Sequence, residues 1–342
     1  MPIFGKKTFS KEEKERLLLQ GGYLQQQGES KRKEKNLPGA VRDYEQALKL
    51  YRQAEEPLAI GRALQGLGMF HRDLGNFNEA ENYLNQALKI FHSLYDSFRQ
   101  GTTYDRLGTL YYQMGDNRRS TEMYLKASDY LIEAGSFKDA IFALAAAASL
   151  EIDANHAVQG ESIIRRALQV AMDEKISDEE PHVLYILGLA LCKQDRNDEA
   201  IPVLTRVLLL EDEMHIKAYG PQANKELKKL GADVNMETVA IPISDPRIEA
   251  ALELFRQGKP QSAIAQLQEL LSGYDATKQA KDAAGAYEAL GNIHQSLGHS
   301  QEALDLYDKA LELYQKCGMQ DSVGRVTMVI GLLQREKDNF VL

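Results

Sequence analysis

One spacing dominates this chain. Small residues at Gly68, Gly108, Ala148 and Gly188 follow one another at steps of forty, and Ala251, Gly291 and Gly331 resume the step after an interruption. A second small position keeps pace at Ala47, Ala87, Ala127 and Ala167, with Val207, Leu270 and Ala310 continuing it. Equal steps over such a length mark a repeat. A repeat decides the architecture before anything else, because each unit buries its apolar face only against its neighbours.

Each unit reads as two amphipathic helices. In the third, Tyr104, Leu107, Gly108, Leu110 and Tyr111 keep helical spacing, Gly115-Asp116-Asn117 breaks it, and Ser120, Met123, Tyr124 and Ala127 resume it. Two helices approach closely only where side chains are small, so Gly108 facing Ser120 and Ala127 lets the pair nest. The glycines near the turns, Gly75, Gly115, Gly258 and Gly298, suit a left-handed helix terminus. The expected fold class is therefore all-α, built from stacked helical hairpins.

The order Leu-Gly, aromatic, Gly, Ala, aromatic, Ala-Leu, complete from Leu290 to Leu311, resembles the tetratricopeptide repeat. The family norm is about 34 residues per unit. The longer step resembles the forty-residue variety of kinesin light chains, Pins-type regulators and Rap proteins. HEAT repeats share the length without the paired small positions. The resemblance implies a right-handed superhelix (α-solenoid) acting as a protein-protein interaction scaffold that binds a partner helix or peptide in its concave groove. The Rap likeness implies an alternative, a peptide-responsive regulatory receptor.

Two irregularities interrupt the step. In the first unit the turn glycine, Gly28, is followed by Ala40 at a distance that leaves residues 29–36 as an insertion, expected as a longer helix or a charged loop. After the fifth unit the interval from Asp195 to Gly258 is also too long, with the excess centred on 212–245. Lys217 to Leu230 fits a lone helix there, and Val239 to Ile243 reads as extended around Pro242. The chain divides on this reading into a block of about five hairpins (1–211), a linker (212–245), and a block of two hairpins with a capping helix (246–342).

Chemistry finds little support. Cys192 and Cys317 share no metal-like spacing, the histidines are scattered, and no phosphate-binding glycine loop occurs. His71 and His294 occupy the position of Tyr111 and read as packing residues. No enzyme activity, cofactor or metal is expected; an enzyme site in 212–245 is the remaining catalytic alternative. A net charge of −9 argues against general nucleic-acid binding. The apolar runs are too short to span a bilayer, and the leading residues lack a cleavable apolar core, so a cytoplasmic setting without membrane insertion is expected.

The repeat resemblance also places a groove on the first helix of each unit, at six and three residues before the small position and one and four after it. The second unit then offers Arg62, Gln65, Met69 and Arg72. The third offers Asp105, Thr109 and Tyr112 beside Thr102; the fourth, Phe142, Ser149 and Ile152 beside Ala145. The fifth offers Tyr185 and Leu189, with His182 and Cys192. The line runs from polar to apolar. It lacks the Lys and Asn pattern with which family members clamp a terminal carboxylate.

Overall fold

The computed structural model describes residues 9–214, 216–232, 245–257, 259–274, 279–297 and 299–339. It forms two compact units, Met1–Ala167 and Leu168–Leu342, and the irregular stretch 212–245 falls within the second. All regular structure among the described residues is helical.

The forty-residue step has a simple origin. Helices α3 (Pro57–Asp73), α4 (Phe77–Ser93), α5 (Ser97–Gln113) and α6 (Asn117–Glu133) each hold 17 residues, and three-residue turns join them. Every turn is built alike. The Gly75 amide donates to Arg72 O at 2.9 Å and the Asn76 amide to His71 O at 2.8 Å, which satisfies the last carbonyls of α3 in a Schellman motif. The middle residue must then be left-handed: Gly75 has φ of 78°, while Tyr95 pays a steric penalty at 53°. The next residue takes the N-cap position of the following helix, where Asn76 makes no side-chain cap. Asp96 and Asp116 cap theirs by accepting the amides of Arg99 and Arg119, both at 2.9 Å.

Within a hairpin, each small position receives a large side chain sixteen residues on. A Cβ on Gly68 would stand 2.6 Å from Leu84, on Gly108 2.8 Å from the Tyr124 ring, and on Gly291 2.7 Å from the Tyr307 ring. Ser120 tightens the third hairpin by donating to Gly108 O at 2.8 Å. The predicted close approach is therefore present, and its main partner is the bulky residue seated over the glycine. Gly291→Leu is expected to destabilise the full chain by about 1–3 kcal/mol, because Tyr307 is wholly buried and its hydroxyl is held by Asn292 and Gln295, both at 2.7 Å. Urea unfolding checks it; an unchanged midpoint would contradict the nesting.

The first unit requires a correction. α1 (Lys11–Lys33) runs 23 residues and α2 (Leu37–Ala54) follows directly. Gly28 is not a turn glycine: a Cβ there would stand 2.6 Å from the ring of Tyr44, sixteen residues on, and 3.3 Å from Ala40 O. It fills the small position one step before Gly68. Lys35, at φ of 62°, is the left-handed turn residue. Residues 29–36 thus hold the last turn of α1 and an ordinary connection, with no insertion. Tyr44 packs edge-to-face on Phe70 at 4.8 Å, joining the first two hairpins among Leu48, Tyr51, Leu64, Leu67 and Phe91. Further along, Leu84, Leu107 and Leu110 bury the next contact, and α7 (Phe137–Asp153) packs its alanines against Tyr124 and Leu131 of α6. The chain then enters α8 (Ala157–Asp173).

In the second unit a 3-10 turn, Ser177–Glu179, leads into α9 (Glu180–Cys192), which pairs with α10 (Asn197–Glu213). The expected lone helix is α11 (Gly220–Lys229). It is not a loose link: it packs on α10 and touches α9, as α5 packs on α4 and touches α3. The buried carboxylate of Glu211 anchors its start, accepting the amides of Ala218 at 3.0 Å, of Tyr219, and of Gly220 at 2.9 Å. Val239 to Ile243, Gly258 and Gly298 lie outside the described residues. Beyond them stand the hairpins α12 (Pro246–Arg256) with α13 (Pro260–Gly273) and α14 (Ala280–Ser296) with α15 (Ser300–Lys316), then α16 (Gln320–Asn339).

Candidate partner-binding face

In the first unit the proposed groove positions lie along α3, α5 and α7, and the structure separates them into three groups. Arg62 is exposed, Met69 half-buried, and the rings of Tyr112 and Phe142 are 57% and 46% exposed. These reach solvent. A second group is engaged within the protein. Arg72 is paired with Asp73 at 2.7 Å, Thr109 shares a hydrogen bond with the Tyr124 hydroxyl at 3.1 Å, and Ser149 donates to Ala145 O at 2.9 Å. Two positions expected on the surface are closed. Gln65 is buried because it spans the gap to α5, donating to Thr103 at 2.8 Å and Thr102 at 3.3 Å. Ile152 is 3% exposed because it turns onto α8, where Gly160 leaves room for it and a Cβ would stand 2.6 Å away.

Asp105 stands apart. Its carboxylate is half-buried and makes no hydrogen bond or ion pair with any described residue. Desolvation holds it above the ordinary carboxylate range, against the pull of Arg106 and Arg72 and with the push of Asp139. Arg106, next to it on α5, is also half-buried and without such a partner, and desolvation lowers its guanidinium from its usual value. Arg106 is not among the groove positions that the repeat register predicts. The missed signal was its column: two residues before the small position, the neighbouring units hold Gly66, Ala146 and Ile186.

In the second unit, Leu189 is half-buried and Tyr185 is partly covered by the chain itself. Tyr219, at the start of α11, stacks on Tyr185 at 5.8 Å and on His182 at 4.8 Å. The apolar end of the predicted groove line is thus in part covered from within.

Among the described residues, no group of three or more His, Cys, Asp or Glu side chains could hold a metal ion, and both cysteines are free thiols. His71 lies against Tyr83 at 5.2 Å and His294 against His299 at 5.5 Å. No helix among the described residues is long and apolar enough to cross a membrane.

Paired helices nested at a small residue, joined by capped three-residue turns and repeated with a fixed step, define an α-solenoid repeat array. Residues 22–93 and 59–133 match a model of the tetratricopeptide repeat, and further tetratricopeptide repeat models match 183–214 and 284–317. The chain belongs to the tetratricopeptide repeat proteins. Among solved structures, the apo form of RapI is similar over 87% of this chain and 98% of its own, at 13% identity and a TM-score of 0.54. That likeness concerns the fold. Weaker similarity is found to a tetratricopeptide repeat protein from Parabacteroides merdae, at 16% identity over 90% of this chain and 99% of that one, TM-score 0.46. Repeats of a putative kinesin light chain from Podosopora anserina match at 13% identity over 60% of this chain and 99% of theirs, TM-score 0.48.

Proposed function

We propose that the chain is a non-enzymatic interaction scaffold whose first unit holds an extended peptide segment of a protein partner along the first-helix face of α3, α5 and α7. The observation that supports this is the set of side chains left reaching solvent there, Arg62, Met69, Asp105, Tyr112 and Phe142, on helices whose other faces are committed to packing. Large exposed aromatic groups beside charged ones are what a recognition surface needs: area that is cheap to order, with polar groups that set register. The free thiols of Cys192 and Cys317 fit a reducing, cytoplasmic setting.

The test is direct. Fluorescently labelled nine-residue peptides are screened against the full chain, and the tightest is titrated against variants. Tyr112→Ala is expected to weaken binding about 30-fold, the lower end of the scale of an interface hot spot, without moving the thermal midpoint, since its ring is mostly exposed. Tyr95→Ala, at a turn residue 88% exposed, serves as the control that should change nothing in affinity. Equal losses from both variants, or none from Tyr112→Ala, would overturn the reading. A change of solution radius on binding would identify the scaffold as a peptide-responsive receptor.

A further inference from the structure

The repeat itself explains why Asp105 has no partner. Three residues before the small position of α3, Gln65 reaches across to Thr102 and Thr103 of α5. Forty residues on, the positions of Gln65 and Thr102 are held by Asp105 and Phe142, and a phenyl ring can donate nothing to a carboxylate. The link that closes the face between α3 and α5 is thus replaced, between α5 and α7, by an acid beside an exposed ring. In the same hairpin Arg106 puts a charge where the units beside it, and the one after, hold Gly66, Ala146 and Ile186.

Half-buried charges without partners cost stability, and several others in this chain are paired. Arg99 meets Asp96 and Arg119 meets Asp116, each at 2.6 Å, and Arg325 meets Glu288 at 2.7 Å. Against that practice, two adjacent residues of opposite sign stand unpaired on the face that is already the candidate for peptide binding. Each feels the other's charge and that of Arg72, but neither is held by a hydrogen bond or ion pair with any described residue, since Arg72 is taken by Asp73, Arg32 lies 3.3 Å from Glu29, and the Tyr44 hydroxyl donates to Glu29 at 2.6 Å.

Resting on the reading above, we propose that Asp105 and Arg106 form a charge-recognition pair for a partner segment carrying one basic and one acidic side chain. The partner's ammonium or guanidinium group sits on the Asp105 carboxylate beside the Phe142 ring, and its carboxylate sits on the Arg106 guanidinium. Ion pairing with a cation over an aromatic face strengthens the first contact, and a forked guanidinium suits the second.

The experiment uses the full chain and labelled nine-residue peptides of one common background, with Lys plus Glu, Lys plus Gln, Gln plus Glu, or Gln plus Gln scanned through two positions. The Lys plus Glu set is expected to bind tightest. Asp105→Asn should erase the preference for Lys, and Arg106→Gln the preference for Glu, each by about 10- to 100-fold, the worth of a charged hydrogen bond. Asp105→Asn is isosteric and Arg106→Gln a polar truncation; both remove a desolvated charge, so their thermal midpoints should hold or rise. If peptides bind and Tyr112→Ala weakens them but charge makes no difference, this inference falls while the groove reading stands. If the two variants instead lose stability, the charges are internal supports and the inference also falls. If no peptide binds at all, both fall together.

Discussion

Glu288→Gln is expected to lower the unfolding free energy of the full chain by about 3–5 kcal/mol, the scale for breaking a buried ion pair by removing one partner. The two side chains are 5% and 7% exposed. Arg325 Nε donates to one carboxylate oxygen of Glu288 at 2.7 Å and Nη2 to the other at 2.8 Å, while the Tyr314 hydroxyl donates to the second at 2.7 Å. One carboxylate on α14 therefore joins α15 and α16. Glutamine keeps the shape but leaves Arg325 as an uncompensated buried charge. Urea unfolding followed by circular dichroism measures the loss. The double variant Glu288→Met, Arg325→Met should recover much of it, because apolar replacement of both partners removes the desolvation cost. A loss below about 1 kcal/mol would show that water reaches the site and the pair is an ordinary surface bridge.

A chain ending at Met319 is expected to fare worse still. Without α16, the buried Val326, Ile330 and Leu333 no longer cover Tyr307, Tyr314 and Leu304, and Glu288 loses Arg325 as well. Each of those three aliphatic side chains contributes roughly 1.5–3 kcal/mol on burial, so the summed loss is larger than that of the single substitution. The uncovered strip should then find another apolar surface, giving dimers or aggregates. Light scattering at several concentrations decides it. A shortened chain that stays monomeric with the original urea midpoint would show that α16 is not a cap.

These two predictions rest on different kinds of legibility. The hairpins, the small positions and the turns were readable because their causes are local: a glycine that nests under a residue sixteen away, and a left-handed residue followed by a cap. The first unit misled because Gly28 could serve either as slot or as turn, and only the seating of Tyr44 over it decides. The excess near 212–245 hid a docked helix because its anchor, Glu211, belongs to the preceding helix. Contacts between successive hairpins were invisible for a similar reason. Glu288 and Arg325 lie 37 residues apart in sequence, and nothing in either local pattern announces the other. The groove was half legible: repeat position placed Tyr112 and Phe142 on the surface, but Gln65 and Ile152 are withdrawn by partners that periodicity does not rank. Asp105 and Arg106 needed both views, since the repeat names their columns and the structure shows them unpaired.

The central claim is that the first-helix face of unit one holds a partner segment. A photo-crosslinking benzophenone amino acid placed at position 112, and separately at position 95 as control, tests it with the tightest nine-residue peptide. The account predicts a covalent adduct from position 112 that is suppressed by excess unlabelled peptide and lost in the Asp105→Asn, Arg106→Gln background, with none from position 95. Equal labelling from both positions, or an adduct from 95 alone, would contradict it.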